Sequence, residues 1–241
     1  MNVLWLFAHP DPHSLGGALR DEGLATLRAL GHDVRESDLY AMHWNPVVDE
    51  IAAVPDDVRA EQAKLTWADA VVFQFPLWWY GTPAMLKGWF DRVFVKGYAY
   101  DVHRPDGRPA RYGEGPLAGK RALVVVTTGS PAPALGPRGV NGPLPDLLFG
   151  LQHGTLFYTG MSVLPPFAVY DADRMTACAF ASAASALRAR LGDLGTASPL
   201  PFRPQNGGDY GRDLVLRPEV APGREGLDVH LCGATRGAPG R

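Results

Sequence analysis

The stretch Phe73-Gln74-Phe75-Pro76-Leu77-Trp78-Trp79-Tyr80-Gly81-Thr82-Pro83-Ala84-Met85-Leu86-Lys87-Gly88-Trp89-Phe90-Asp91-Arg92-Val93-Phe94 decides how this chain is read. A buried apolar run stops at Pro76. Three adjacent aromatics, Trp78, Trp79 and Tyr80, follow on a loop, and Pro83 opens an amphipathic helix, as proline does at helix starts. Open α/β sheets bind ligands just beyond the carboxyl ends of their strands. Aromatics placed there suit a planar ligand. The plainer reading is a core strand, a Trp-rich turn and a surface helix. Neighbouring turn residues point different ways, however, so core packing alone does not explain three in a row.

Working outward, strand and helix patterns alternate. Val3 to Ala8 is a continuous apolar run suited to a strand covered on both faces. The loop His9–Leu15 leads to a helix from about Gly17 to Leu30, closed by Gly31. Asp33–Leu39 reads as the second strand, Ala60–Trp67 as a helix, Asp69–Phe75 as the third strand and Pro83–Phe94 as a helix. Residues 101–119 form an exposed loop rich in Pro, Gly, Arg and Asp. Arg121–Thr127 is the fourth strand, Leu144–His153 a short helix, and Thr155–Leu164 a fifth strand with its flanks. Asp171 or Asp173 caps a long Ala-rich helix that ends near Leu194. The expectation is a doubly wound, five-stranded parallel sheet over residues 1–196. Residues 197–241 read as an irregular, proline-rich appendage, disordered over Ala234–Arg241. Right-handed crossovers bring the loops at His9, Pro76 and Thr127 to one sheet edge.

Composition narrows the class of partner. The chain has 241 residues, 46% apolar and 20% charged, with a formal net charge of −2. That balance argues against nucleic acid or a membrane surface as the main partner. No apolar stretch is long enough to span a bilayer, and Asn2–Ala8 lacks the basic leader of a signal peptide. Cys178 and Cys232 have no metal-like spacing. Reduced thiols in a cytoplasmic protein are the expectation.

Two further segments carry chemistry. The loop Ala8-His9-Pro10-Asp11-Pro12-His13-Ser14-Leu15-Gly16-Gly17 joins a strand to a helix N-terminus, where free N–H groups favour an anion. Small residues there allow a phosphate to approach, and His9 or His13 can donate. A plain turn is the alternative. Thr127-Thr128-Gly129-Ser130 follows a strand and can aim N–H groups and hydroxyls at the edge of a heterocycle; a polar strand-to-loop turn is again the alternative.

Taken in order, these segments resemble those of the NAD(P)H:quinone oxidoreductase (DT-diaphorase) family, flavodoxin-like enzymes that use FAD. The resemblance runs from about residue 3 to 232. It includes Glu36-Ser37-Asp38-Leu39-Tyr40-Ala41-Met42, Asn45-Pro46, Ala60-Glu61-Gln62-Ala63-Lys64-Leu65, Leu151-Gln152-His153-Gly154-Thr155-Leu156 and Ser198-Pro199-Leu200-Pro201-Phe202. It implies FAD as cofactor, NAD(P)H as co-substrate, a quinone or similar planar acceptor, and a homodimer with active sites at the interface. By position, His9, Ser14, Leu15 and Gly16 line the pyrophosphate region. Pro76, Leu77, Trp78, Trp79 and Tyr80 hold the isoalloxazine ring, and Thr127, Thr128, Gly129 and Ser130 bond its polar edge. Gln62 reaches FAD from the other subunit, and Arg190 lies near the adenine end. Tyr100, Tyr158 and Asn141 belong to the substrate cleft. Trp79, Tyr80, Gly129 and Asn141 are the candidate catalytic positions. For Gln62 and Arg190 the plain alternative is a solvated helix face.

The chain also departs from that family. Its Tyr-to-His relay near the flavin maps onto Leu135 and Asn141, neither of which ionises. One branch carries Asn at the second position. A gating tyrosine maps onto Val102, and the adjoining loop Arg104–Pro116 is longer, so acceptor shape should differ. That branch also holds a structural metal through two histidines and a cysteine. Here His153 remains, Phe157 replaces the second histidine and no cysteine is close in sequence, so no metal is expected. Two rival readings stand beside quinone reduction: a tailoring reductase for a polycyclic aromatic metabolite, and a low-turnover, flavin-bearing regulatory partner protein.

Overall fold

The long apolar runs become the central strands of a sheet that helices cover on both faces. The computed structural model describes residues 1–48 and 54–233. Its strands are β1 (Asn2–Phe7), β2 (Asp33–Asp38), β3 (Ala70–Pro76), β4 (Arg121–Thr127), β5 (Ser162–Val163) and β6 (Phe167–Val169). All pair in parallel, in the order β2-β1-β3-β4-β5, with β6 also on β4. β3 is buried along its whole length and β1 nearly so. Alternate residues serve opposite faces. Leu4, Leu6, Val71 and Phe73 pack with Leu65, Leu86 and Trp89 on one side. Val3, Trp5 and Val72 pack with Leu19, Leu27, Leu187 and Leu191 on the other. The fold is the doubly wound α/β sandwich the alternation predicts.

Helix ends shift for local reasons. α1 (Leu15–Ala29) starts at Leu15 because Ser14 caps it, its Oγ accepting the Gly17 N–H at 3.1 Å. α2 (Asp56–Trp67) starts before Ala60, since Asp56 and Asp57 supply acid to its first turn. Asp57 accepts both terminal nitrogens of Arg92, at 2.8 and 3.2 Å, tying α2 to α3 (Ala84–Val93). That pairing outweighs the cost of partial burial and holds the Asp57 carboxyl below its usual range. Deeper in the same contact Glu61, fully buried, accepts Trp89 Nε1 at 2.9 Å and Lys64 Nζ at 2.6 Å. A buried charge needs such partners.

Of the fifth strand expected with its flanks over Thr155–Leu164, only Ser162–Val163 forms. Two short helices, α4 (Leu144–Leu147) and α5 (Phe149–Leu151), run into a π-helical turn over Gln152–Phe157. The strand position beside β4 is then shared: β5 pairs with Arg121–Ala122 and β6 with Val125–Thr127. Pro165 and Pro166 fall between them and cannot donate to a ladder. Neither Asp171 nor Asp173 caps the last helix. Thr176 does, accepting the Ala179 N–H at 3.2 Å, and α6 spans Ala177–Gly192.

Beyond residue 196 the described chain holds one regular element, a 3₁₀ turn at Leu227–His230. Phe202 pairs with Leu231 and packs its ring on Phe157, 5.2 Å between centroids. The expectation for Ala234–Arg241 lies outside the described residues. Among the described residues no helix is long and apolar enough to cross a membrane.

Candidate active site

Three loops meet at the carboxyl edge of the sheet, as their positions in the chain require. Gln74 on β3 fixes the first of them. Its Nε2 donates to Gly16 O at 2.7 Å while its Oε1 accepts Trp5 Nε1 at 2.9 Å. The start of α1 is thus tied to the sheet through a buried side chain. The second loop joins the third where Leu77 N–H donates to Thr127 O at 2.8 Å. Thr128 N–H donates to Val169 O, and Ala172 N–H to Thr128 O, which adds the segment after β6. These bonds enclose a cavity of about 370 Å³. His9, Ser14, Leu15 and Gly16 line one side of it; Pro76, Leu77 and Trp78 another. Thr127, Thr128 and Gly129 line the third, with Ala172 and Asp173.

The cavity wall is rich in free donors. Ser14 satisfies the N–H groups of Gly17 and Ala18. Among the described residues the N–H groups of Leu15 and Gly16 have no acceptor, as expected at the start of a helix. Gly129 N–H is free in the same sense. His9 Nδ1 lies 3.0 Å from both the Asp11 N–H and Asp11 O, so the loop holds the ring through Nδ1 and leaves Nε2 without a partner among the described residues. The His9 ring lies 5.8 Å from that of Trp78. This donor set fits a phosphate beside a planar ring. His13 does not line the cavity. Gly17 is not there for the ligand either: a Cβ on it would lie 1.8 Å from Pro12 O, so packing within the loop requires glycine.

The aromatic run folds as a tight turn. Gly81 N–H donates to Trp78 O at 3.0 Å, and both central residues have positive φ, 50° for Trp79 and 59° for Tyr80. Type I′ turns have this pattern and normally place Asn or Gly there. Bulky residues held in that region mark a position shaped for function rather than stability. Trp79 is 98% exposed. On the far side of the turn lies an open groove of about 860 Å³, lined by Phe75, Tyr80, Phe90, Tyr100 and Tyr158 among others.

Gln62, Ser130, Asn141 and Arg190 do not line the cavity. Gln62 donates Nε2 to Val93 O at 3.0 Å, bridging α2 and α3. Arg190 sits in the last turn of α6, roughly 20 Å along the helix from Ala177 at 1.5 Å per residue. It donates to Pro165 O at 2.5 Å. Arg121, at the start of β4, reaches Leu194 O just past that helix end, which puts Arg190 toward the opposite edge of the sheet. The sequence pattern gave Arg190 no depth along the helix. Asn141 stands behind the cavity, donating Nδ2 to Ser130 Oγ at 3.1 Å, and Leu135 is buried. Ser130 N–H donates to Thr128 Oγ1 at 3.2 Å. Ala172 and Asp173 were missed because the sequence reading had no strand to place them after.

His153 is packed by rings. Phe149 stacks on it at 4.6 Å, and Tyr112, Phe157, Phe202 and His230 lie within 5.0–5.7 Å. Burial, with His230 adding to it, pushes its pKa down to about 4. Among the described residues no cluster of three or more His, Cys, Asp or Glu could hold a metal.

A family model described as a flavodoxin-like fold matches residues 1–191, so the chain belongs to that fold family. Within it the chain belongs with the NAD(P)H dehydrogenase (quinone) proteins, which are oxidoreductases. It is 42% identical over 235 residues to the ribosyldihydronicotinamide dehydrogenase-like protein traD of Penicillium crustosum, covering 87% of each chain. It is 34% identical over 244 residues to rat NAD(P)H dehydrogenase [quinone] 1, covering 90% of this chain and 87% of that one. A solved structure from Klebsiella pneumoniae, provisionally assigned as a quinone reductase, superposes with a TM-score of 0.91 at 47% identity, covering 96% and 99% of the two chains.

Proposed function

We propose that the chain is an FAD-dependent NAD(P)H:quinone oxidoreductase that works as a cytoplasmic homodimer. The observation that carries this is the convergence of unpaired N–H groups, the His9 ring and the aromatic turn on one cavity. When bound, FAD carries hydride from NAD(P)H to a quinone, giving NAD(P)⁺ and, with one proton from solvent, the hydroquinone. The residues supply the rest. Leu15 and Gly16 N–H, with His9 Nε2, hold the pyrophosphate. Trp78 and the backbone from Pro76 to Tyr80 hold the ring. Gly129 N–H, with the hydroxyls of Thr127 and Thr128, bonds its polar edge, and Asn141 fixes Ser130 behind them. Oriented backbone donors stabilise negative charge without moving a proton.

Exposed Tyr80 and Tyr100 on an open groove, with exposed Trp79 next in the turn, support a second copy as the missing wall, with Gln62 of the partner subunit approaching the flavin. The groove is large for a single-ring quinone, which favours a multi-ring acceptor and keeps a tailoring reductase as the second reading. Flavin extracted from denatured protein tests the cofactor: FAD supports the reading, and FMN or no flavin after reconstitution rejects it. A monomer that keeps full turnover on dilution in the sedimentation range rejects the dimer.

A further inference from the structure

The long segment 101–116, unexplained by the sequence, folds into a braced unit beside the groove. Ala110 N–H donates to Val102 O at 2.8 Å, His103 pairs with Pro109, and Tyr112 N–H donates to Tyr158 O at 2.9 Å. The segment encloses a side pocket of about 240 Å³. Lys96, Tyr100 and Tyr158 line both this pocket and the 860 Å³ groove, so the two adjoin. Asp101, His103 and Arg111 line the side pocket and not the groove.

Charge accounting singles out Arg111. The acids of the segment are Asp101, Asp106 and Glu114. Asp101 pairs with Lys96 at 3.0 Å, Asp106 with Arg108 at 2.7 Å, and Glu114 with Arg104. Among the described residues Arg111 has no carboxylate partner. Its Nε donates to a neutral acceptor, Gln205 Oε1, at 2.7 Å. Gln205 is held in turn, its N–H donating to Tyr112 O. That bond fixes the guanidinium and leaves both terminal nitrogens uncommitted. A fork of this kind matches a carboxylate or phosphate with two parallel bonds.

We propose that Arg111, with His103 beside it, forms an anion subsite that selects a planar acceptor carrying a carboxylate arm. The ring of the acceptor lies in the groove, and the arm passes Tyr100 and Tyr158 into the side pocket. This rests on the quinone reductase reading for turnover but not for binding. The same chemistry could be supplied by the 2′-phosphate of NADPH, and the test separates the two.

Binding is measured by calorimetry on flavin-loaded protein with 2-naphthalenepropionic acid and its neutral amide. The acid should bind roughly tenfold more tightly, the lower range for a charge-assisted bond in a partly solvated site. The preference should fall to about twofold in Arg111→Gln, persist in part in Arg111→Lys, and stand unchanged in Arg108→Gln. Equal binding of acid and amide by the unmodified protein, or a preference that survives Arg111→Gln, overturns the proposal. In turnover, the ratio of KM for a carboxyethyl-naphthoquinone to that for 2-methyl-1,4-naphthoquinone should rise by a similar factor in Arg111→Gln. A rise confined to the KM of NADPH over NADH would assign the anion to the nicotinamide and overturn the acceptor assignment. Failure of the unmodified protein to reduce 2-methyl-1,4-naphthoquinone would sink the parent reading and leave the binding result to be judged alone.

Discussion

Replacing Gly17 by alanine should damage the first loop before any ligand is involved. The added methyl would lie 1.8 Å from Pro12 O and 2.6 Å from Pro12 C. Ordinary carbon–oxygen contact is about 3.3 Å, so loop and helix must part by roughly 1.5 Å. Both contacts are backbone, and no side-chain rotation relieves them. Overpacking of this kind costs roughly 1–3 kcal/mol, against a helix-propensity gain of about 0.5–1 kcal/mol. The net loss is up to about 2.5 kcal/mol, or up to roughly 10 °C in Tm for a chain of this size. Gly16→Ala is the internal control. Its nearest contacts are Ser14 Oγ at 3.5 Å and a Phe7 ring carbon at 3.6 Å, both comfortable. The assay is thermal unfolding of flavin-free protein by circular dichroism. Gly17→Ala should melt clearly below the parent, and Gly16→Ala at or above it. Equal melting of the two variants would refute the claim that the Pro12 carbonyl is what demands glycine at position 17.

Other expectations follow from the same geometry. Trp79→Gly removes a bulky residue from a left-handed conformation that costs roughly 1–2 kcal/mol, and with Trp79 98% exposed little packing is lost. Tm should rise while quinone turnover falls; a fall in both would show that Trp79 supports the fold. His153 stays neutral in the folded state to about pH 4, whereas the unfolded ring binds a proton below about pH 6.5. The unfolded state therefore takes up protons first, and this contribution to stability, full above pH 6.5, is lost as pH falls toward 4. His153→Phe should flatten that part of the Tm–pH curve, and an unchanged slope would point to His230 or the carboxylates instead. Because Leu135 and Asn141 do not ionise, the pre-steady-state rate of flavin reduction should be flat from roughly pH 6 to 8. A sigmoidal step abolished by mutating His9 or His13 would show that another acid serves in place of the lost pair.

Sequence by itself determined the layered sheet, the segments that form its central strands and most of the cavity lining. Apolar runs at Val3–Ala8, Asp69–Phe75 and Arg121–Thr127 suit strands covered on both faces. Parallel pairing then puts the residue after each run at one edge. His9, Pro76 and Thr127 were legible for that reason. Tertiary structure decided what depends on depth and register. The fifth strand position is split because two prolines interrupt it, and only pairing with β4 shows which pieces stay in the sheet. Arg190 looked like a site residue until the direction of α6 placed it toward the far edge, and Asp173 came into view only with β6 in place. The isolation of Arg111 is likewise a three-dimensional fact. Its segment carries acids and bases in close sequence, and only folding shows that each acid is held by a different cation. Periodicity records which face a residue serves, while the identity of its neighbour is fixed by contacts far apart in the chain.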